Sequence, residues 1–275
     1  MADTSLGLQR WSRRLLALSG VVLVFSGLSF FLLPDYAVEN FPWNVSPLVA
    51  MTIGGWALGM GMMALESVRA WFLPRVQAAL IALWSFCVFE LIVVAAFLPV
   101  LRTDHWMTWP YLIALGLGAG SAALGLPALW LQRAEVIAGD DDVPAWLRLT
   151  FAAFAALVAV LGVSTLLVTP VTGTVFPEAL SPFTTRAFSA FFFALSLGAL
   201  PLLVARRVEP AVWYSRHGLY LIVLIVVAAF SYLHLFDFVA RPGGLIYIGA
   251  YVVTAVVAAA IVLWDRRYTS TPWRH

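Results

Sequence analysis

Charge is scarce in this chain. Only 11% of its 275 residues are Asp, Glu, Lys or Arg, 63% are hydrophobic, and the mean hydropathy is +0.94. A soluble domain of that length needs far more charge to cover its surface, so the solvent for most of the chain is lipid. Lysine is missing altogether: all 16 basic residues are arginine. That absence reads as a biased genome rather than as function. A net charge of +2 is too weak to attract nucleic acid. A single cysteine, Cys87, excludes an internal disulfide and a multi-cysteine metal site. Also missing are a phosphate-binding glycine loop, a metalloprotease helix, a Ser-His-Asp motif and a redox cysteine pair. The expectation is therefore a protein that is not an enzyme. No cofactor is identified by any motif.

What is present is apolar sequence in long pieces. Crossing about 30 Å of hydrocarbon takes about 20 apolar residues in a helix. Eight runs qualify, at 15–33, 47–65, 78–100, 109–131, 149–169, 182–205, 217–236 and 245–264. A β-barrel would instead show segments of alternating polarity, about ten residues each. In lipid, a continuous apolar run satisfies its own backbone by becoming a helix. The first run follows Arg10, Arg13 and Arg14 but is longer than a secretory h-region and lacks a small-x-small cleavage site, so it is read as a retained helix.

Arginine is distributed unevenly. With eight spans and the N-terminus inside, thirteen arginines fall on inner segments (Arg10, Arg13, Arg14, Arg69, Arg75, Arg133, Arg148, Arg206, Arg207, Arg216, Arg266, Arg267 and Arg274). Only Arg102, Arg186 and Arg241 fall on the outer side. This positive-inside bias predicts a multi-pass protein of a bacterial-type cytoplasmic membrane, with both termini cytoplasmic.

The chain repeats a phrase. Pro34, Phe41-Pro42 and Ser46-Pro47 recur as Pro170, Phe176-Pro177 and Ser181-Pro182. At an offset of 135, residues 41–65 overlay 176–200: Ala64 and Leu65 recur as Ala199 and Leu200, Gly54 and Gly55 become Ser189 and Ala190, and Trp56 becomes Phe191. Leu91–Phe97 recurs letter for letter as Leu224–Phe230, at an offset of 133. The expected fold is an all-α polytopic membrane protein: eight transmembrane helices as two parallel tandem four-helix units, residues 1–137 and 147–275, joined by a cytoplasmic linker at 138–146. Four spans per unit is an even number, so both copies enter the membrane in the same sense. The acidic run Asp140-Asp141-Asp142 lies in that linker and lacks the rest of a calcium loop. In the phrase itself, Ser46 and Ser181 are expected to cap helices whose first turn accepts the following proline. The phrase reads as a rigid outer turn, with a binding loop as the alternative.

Small residues recur four apart at Gly55 and Gly59, with Gly54 and Gly61 beside them, at Gly116 and Gly120, with Gly118 and Ser121, and at Ala190, Ala194 and Gly198. Such stripes let helix backbones approach closely, which places these helices at the inter-helix core of each unit. Trp11, Trp71, Trp106, Trp109, Trp146, Trp213, Trp264 and Trp273 fall near span ends, as an interfacial belt does. Trp56 and Trp84 lie deeper and are expected to fill space between helices.

Few residues are able to carry chemistry. Glu90 falls near the middle of the third run, with Cys87 on the same flank. An acid there costs roughly 2.5–3.5 kcal/mol on insertion scales for a comparable charge and normally faces a bundle interior or cavity. It is read as a proton or cation relay, as an anchor for a polar ligand group, or as a neutral acid hydrogen-bonded to a neighbouring helix. Its counterpart is Val223, Ile225 or Val226, depending on the alignment, so the acid has no twin. Arg186, one turn into the sixth run where the first unit has Met51, reads as a snorkelling side chain or as a site for an anionic lipid group. Asp104 and His105, with His234 and Asp237, are outer-face polar candidates for a metal or haem, although no motif supports one. His217 and His275 read as inner interfacial residues. Cys87 reads as packing. The expected role is a scaffold or accessory subunit binding lipid, a cofactor or partner membrane proteins, with a homo-oligomer allowed. The alternative is a small-ion or proton-coupled transporter or channel using Glu90.

Overall fold

A computed structural model describes residues 2–132, 143–167 and 176–269, with side chains for 7–132, 143–167 and 176–265. Pro170 and the acidic run at 140–142 lie outside them. The described residues form helices α1 (Ala2–Leu32), α2 (Pro34–Asn40), α3 (Pro47–Ala70), α4 (Leu73–Ala96), α5 (Thr108–Leu131), α6 (Ala145–Leu167), α7 (Pro182–Leu203), α8 (Glu209–Ser231) and α9 (Gly243–Thr269). All but α2 are long and apolar enough to cross a membrane. The chain is an all-helical polytopic membrane protein, and among the described residues there is no strand. The face bearing residues 34–47 and 176–182 is called the loop face; the opposite face carries the start of α1 and the end of α9.

Boundaries differ from expectation where proline starts a helix earlier. Pro74 lies in the first turn of α4 and Pro210 in that of α8, positions that need no backbone donor. Both helices therefore begin before the expected 78 and 217 and take Arg75 and Arg216 into the helix. In the same way Pro34 nucleates α2 in a stretch read as turn. Both serine caps form: Ser46 Oγ accepts from the Val49 amide at 3.2 Å, and Ser181 Oγ from the Thr184 amide at 3.2 Å.

α3 is the central helix, with 89% of its span buried against 17% for α9. It is glycine-lined on two sides. Toward α1, a Cβ on Gly27 would lie 2.5 Å from the Leu58 amide, and one on Gly54 would lie 2.6 Å from the Phe31 amide. Toward α8, a Cβ on Gly59 would lie 2.6 Å from Leu221 Cβ. α7 packs on α4 in the corresponding manner, with Gly198 against Ala82 and the Ala78 carbonyl. Small residues thus close the seam between the two groups of four spans, as well as the core of the first. In the fourth run only Gly116 departs from the expected packing, with open space beside it; Gly118 meets Cys87, Gly120 meets Leu15, and Gly125 meets Trp84 and Ser12.

Three layers of contact cross the seam. On the loop face, the Ser46 hydroxyl donates to Glu178, and Trp43 Nε1 donates to Thr184 Oγ1 at 3.0 Å. In the middle, Trp56 stacks on Phe191 with ring centroids 4.1 Å apart and planes 3° from parallel. On the other face, Glu66 accepts from Arg216 and lies 3.1 Å from His217 Nε2, while Arg75 Nε donates to Glu209 at 2.6 Å.

Candidate functional site

Glu90 is fully inside the protein, at 2% exposure. Because α4 starts at Leu73, Glu90 lies about two turns from the loop-face end of the helix rather than at its middle. The first turn of α5 is at that level, and Tyr111 from it donates its hydroxyl to Glu90 Oε2 at 3.0 Å. Glu90 Oε1 is buried without a partner. Tyr111 packs in turn on Trp43, ring centroids 5.5 Å apart, and Trp43 on Phe183 of α7 at 4.1 Å. Cys87 is buried one turn below Glu90, in contact range of the Gly118 backbone. Glu90 lines none of the principal cavities. It sits in packed aromatic and small-residue surroundings, with one hydrogen bond.

Arg186 lies beside the end of α6 and donates Nη1 to the Thr165 carbonyl at 2.7 Å. That carbonyl is one of the last four of the helix, which have no partner within it, and a cation there also favours the helix dipole. The other two arginines on the loop face are used similarly. Arg102 donates its amide to the Pro42 carbonyl at 2.7 Å and Nη1 to Asn44, and Arg241 donates to the Pro177 carbonyl at 3.3 Å. Pro42 and Pro177 are the equivalent prolines of the repeated phrase. The arginines that depart from the charge bias thus brace loop-face backbone.

The remaining polar candidates do not converge. Asp104 is exposed, with His105 Nε2 at 3.6 Å. Asp237 Oδ1 accepts from the amides of Val239 and Ala240, closing a local turn, and His234 is in a short 3₁₀ segment beside Tyr232. Among the described residues no three His, Cys, Asp or Glu side chains form a group able to hold a metal.

His217 corrects its reading as an interfacial residue. It is completely buried in the seam between Glu66 and the Trp213 carbonyl. The guanidinium groups of Arg75 and Arg216 lie over the Trp213 ring, at 5.4 and 4.7 Å from its centroid. The signal available in the sequence was the charge pattern: Glu66 closes α3 on the face where Arg216 and His217 open α8.

Among the described residues an opening lies elsewhere. A cavity of about 310 Å³ lies among α6, α7, α8 and α9. Its wall includes Phe154, Phe192, Leu195, Ile222, Tyr247 and Tyr251, with Ser164, Thr165, Thr185 and Thr254 as further hydroxyls. Among the described residues no charged side chain lines it. None of these residues stands out in a linear reading, since each is ordinary in an apolar helix. The chain matches no protein-family profile, and no curated protein and no solved structure is significantly similar to it.

Proposed function

We propose that this integral membrane protein is a non-enzymatic scaffold or accessory subunit that holds lipid, a cofactor or a partner membrane protein. The observation that carries the reading is the enclosure of Glu90. A solute or proton path through a membrane protein needs polar groups that meet water at successive depths. Glu90 meets Tyr111 and apolar side chains instead, and the cavity among α6, α7, α8 and α9 has an uncharged, mostly apolar wall among the described residues. The positive-inside bias supports a cytoplasmic-type membrane with both termini inside. The repeated phrase supports an origin in two parallel four-helix units, 1–137 and 147–275. Residues at equivalent positions, Trp56 and Phe191, stack on one another, as residues beside a two-fold axis do. Partner subunits or a second copy of the chain belong to the same proposal.

The alternative is proton- or ion-coupled transport through Glu90. The observation that favours it is the unpartnered Oε1, since a buried acceptor without a donor is costly unless it has a use. A flux assay separates the two. Proteoliposomes carrying the full chain are expected to pass protons and small cations no faster than empty ones, and Glu90→Gln to change nothing. Flux that the wild type supports and Glu90→Gln abolishes would establish transport instead.

A further inference from the structure

The cavity lies where the two groups of spans, overlaid on the repeated phrase, differ in a few side chains. In the first group α1 lies directly on α5. Ser19 donates to the Ala114 carbonyl at 2.8 Å, Ser12 donates to the Ser121 carbonyl at 2.9 Å, and Gly118 and Gly125 leave no gap. At the offset of 133, Leu112-Ile113-Ala114-Leu115-Gly116 overlays Leu245-Ile246-Tyr247-Ile248-Gly249, so Ala114 becomes Tyr247 and Gly118 becomes Tyr251. At the offset of 135, Ser12 and Ser19 become Leu147 and Phe154. The serines that tie the first and fourth spans together are lost, and two tyrosines stand where the small residues were. α6 and α9 do not close as α1 and α5 do, and the cavity is the space between them.

Its chemistry is graded along the membrane normal. Thr165 in the last turn of α6, Thr185 in the first turn of α7 and Tyr247 near the start of α9 are at the loop-face end. Phe154, Leu195 and Leu221 line the deeper part. Thr165, Thr185, Ser164 and Thr254 spend their protons on carbonyls of their own helices, so toward the cavity they only accept. The Tyr251 hydroxyl is buried beside Tyr247, ring centroids 4.8 Å apart, and the Tyr247 hydroxyl is its near neighbour, outside full hydrogen-bond geometry. Among the described hydroxyls of the wall it is the donor least committed to a protein acceptor. α6 and α9 are also the two spans least covered by protein, with 28% and 17% of their length buried. A space between them is reached from the bilayer.

We infer that this cavity binds one apolar chain with a neutral oxygen-bearing head, drawn from the surrounding bilayer, its head at Tyr247 and Tyr251 and its tail against Phe154 and Leu221. This rests on the reading of the protein as a non-enzymatic binder and names the ligand class. The uncharged wall selects against a carboxylate or phosphate head, whose burial without a partner is costly. The volume is at the small end of ligand pockets, about 300–1,000 Å³, which suits a single chain rather than a two-chain lipid.

The test uses the purified full chain and a long-chain alcohol carrying a photoreactive diazirine, with labelled peptides located by mass spectrometry. Saturable labelling concentrated on the cavity-facing residues of α6 and α9 is expected, displaced by unlabelled alcohol better than by the matching carboxylate. Ala250→Trp, which fills the cavity from α9, is expected to abolish the saturable part. Tyr251→Phe removes one hydroxyl and leaves the packing, and is expected to weaken displacement by about 3–10-fold, the worth of one hydrogen bond. Labelling spread evenly over α1, α5, α6 and α9, or unaltered by Tyr251→Phe, overturns the inference. So does better displacement by the carboxylate. The flux assay is read separately: absent flux with unsaturable labelling sinks the ligand and leaves the scaffold, whereas Glu90-dependent flux sinks the scaffold whatever the probe does.

Discussion

Single side chains set how near the backbones come. A Cβ on Gly59 would press on Leu221 Cβ and Cα, at 2.6 and 2.8 Å, and the Cα has no rotamer by which to escape. Gly59→Leu is therefore expected to lower stability by about 1–3 kcal/mol or more, the cost of overpacking. Gly116→Leu, facing open space, is expected to leave the melting temperature of the purified protein nearly unchanged. The sequence presents both glycines in the same small-xxx-small spacing, and only the direction of the helix face separates them. Glu90 and Tyr111 form the second residue-scale case. Tyr111→Phe removes the one donor to a buried carboxyl and is expected to cost about 1–3 kcal/mol. Adding Glu90→Gln should then cost less than it does alone, because the two act as a unit. Strict additivity in thermal melts of the single and double variants would refute the coupling. The hydropathy run puts Glu90 at mid-helix, whereas the start of α4 at Leu73 puts it nearer the loop face; the repeated sequence gives it no acidic twin.

At the scale of elements, the repeated phrase does more than turn the chain. Trp43 and Glu178 occupy equivalent positions at the offset of 135, and each reaches across to the other copy's helix start: Glu178 to the Ser46 cap, Trp43 to Thr184 beside the Ser181 cap. The caps were legible because Ser-Pro before an apolar run has one local meaning. The crossing was not, because it depends on where α3 and α7 stand relative to each other. Ser181→Ala is expected to cost about 0.5–2 kcal/mol through the lost cap. Ser46→Ala should cost more, since it also strips Glu178 of its donor, and Glu178→Gln should recover little of the difference. Denaturation midpoints of the three variants decide this; equal losses for the two serines would mean that the contact to Glu178 contributes nothing.

For the whole molecule, the seam is continuous from face to face: a capped loop pair, stacked Trp56 and Phe191, then Glu66 with Arg216 and His217 and Arg75 with Glu209. Apolar contact offers little driving force between helices in lipid, so close packing at small residues and bonds between polar groups must supply it. Residues 1–137 and 147–275, co-expressed as separate chains, are accordingly expected to purify together, and Gly59→Leu to separate them. Independent purification of the wild-type halves would show that the seam depends on the covalent link.

The sequence by itself determined that the chain lives in a membrane, how many helices cross it, where the serine caps fall and which polar residues are out of place. Those follow from local quantities: length of apolar run, proline position, charge per segment. The tertiary structure decided the rest. It enclosed Glu90 against Tyr111, buried His217 in the seam, turned one glycine face inward and another to open space, and left a cavity among α6, α7, α8 and α9 with Tyr247 and Tyr251 in its wall. In an apolar helix every face has much the same composition. Which face meets a neighbour is fixed by packing between segments far apart in the chain, and no reading along the chain contains it.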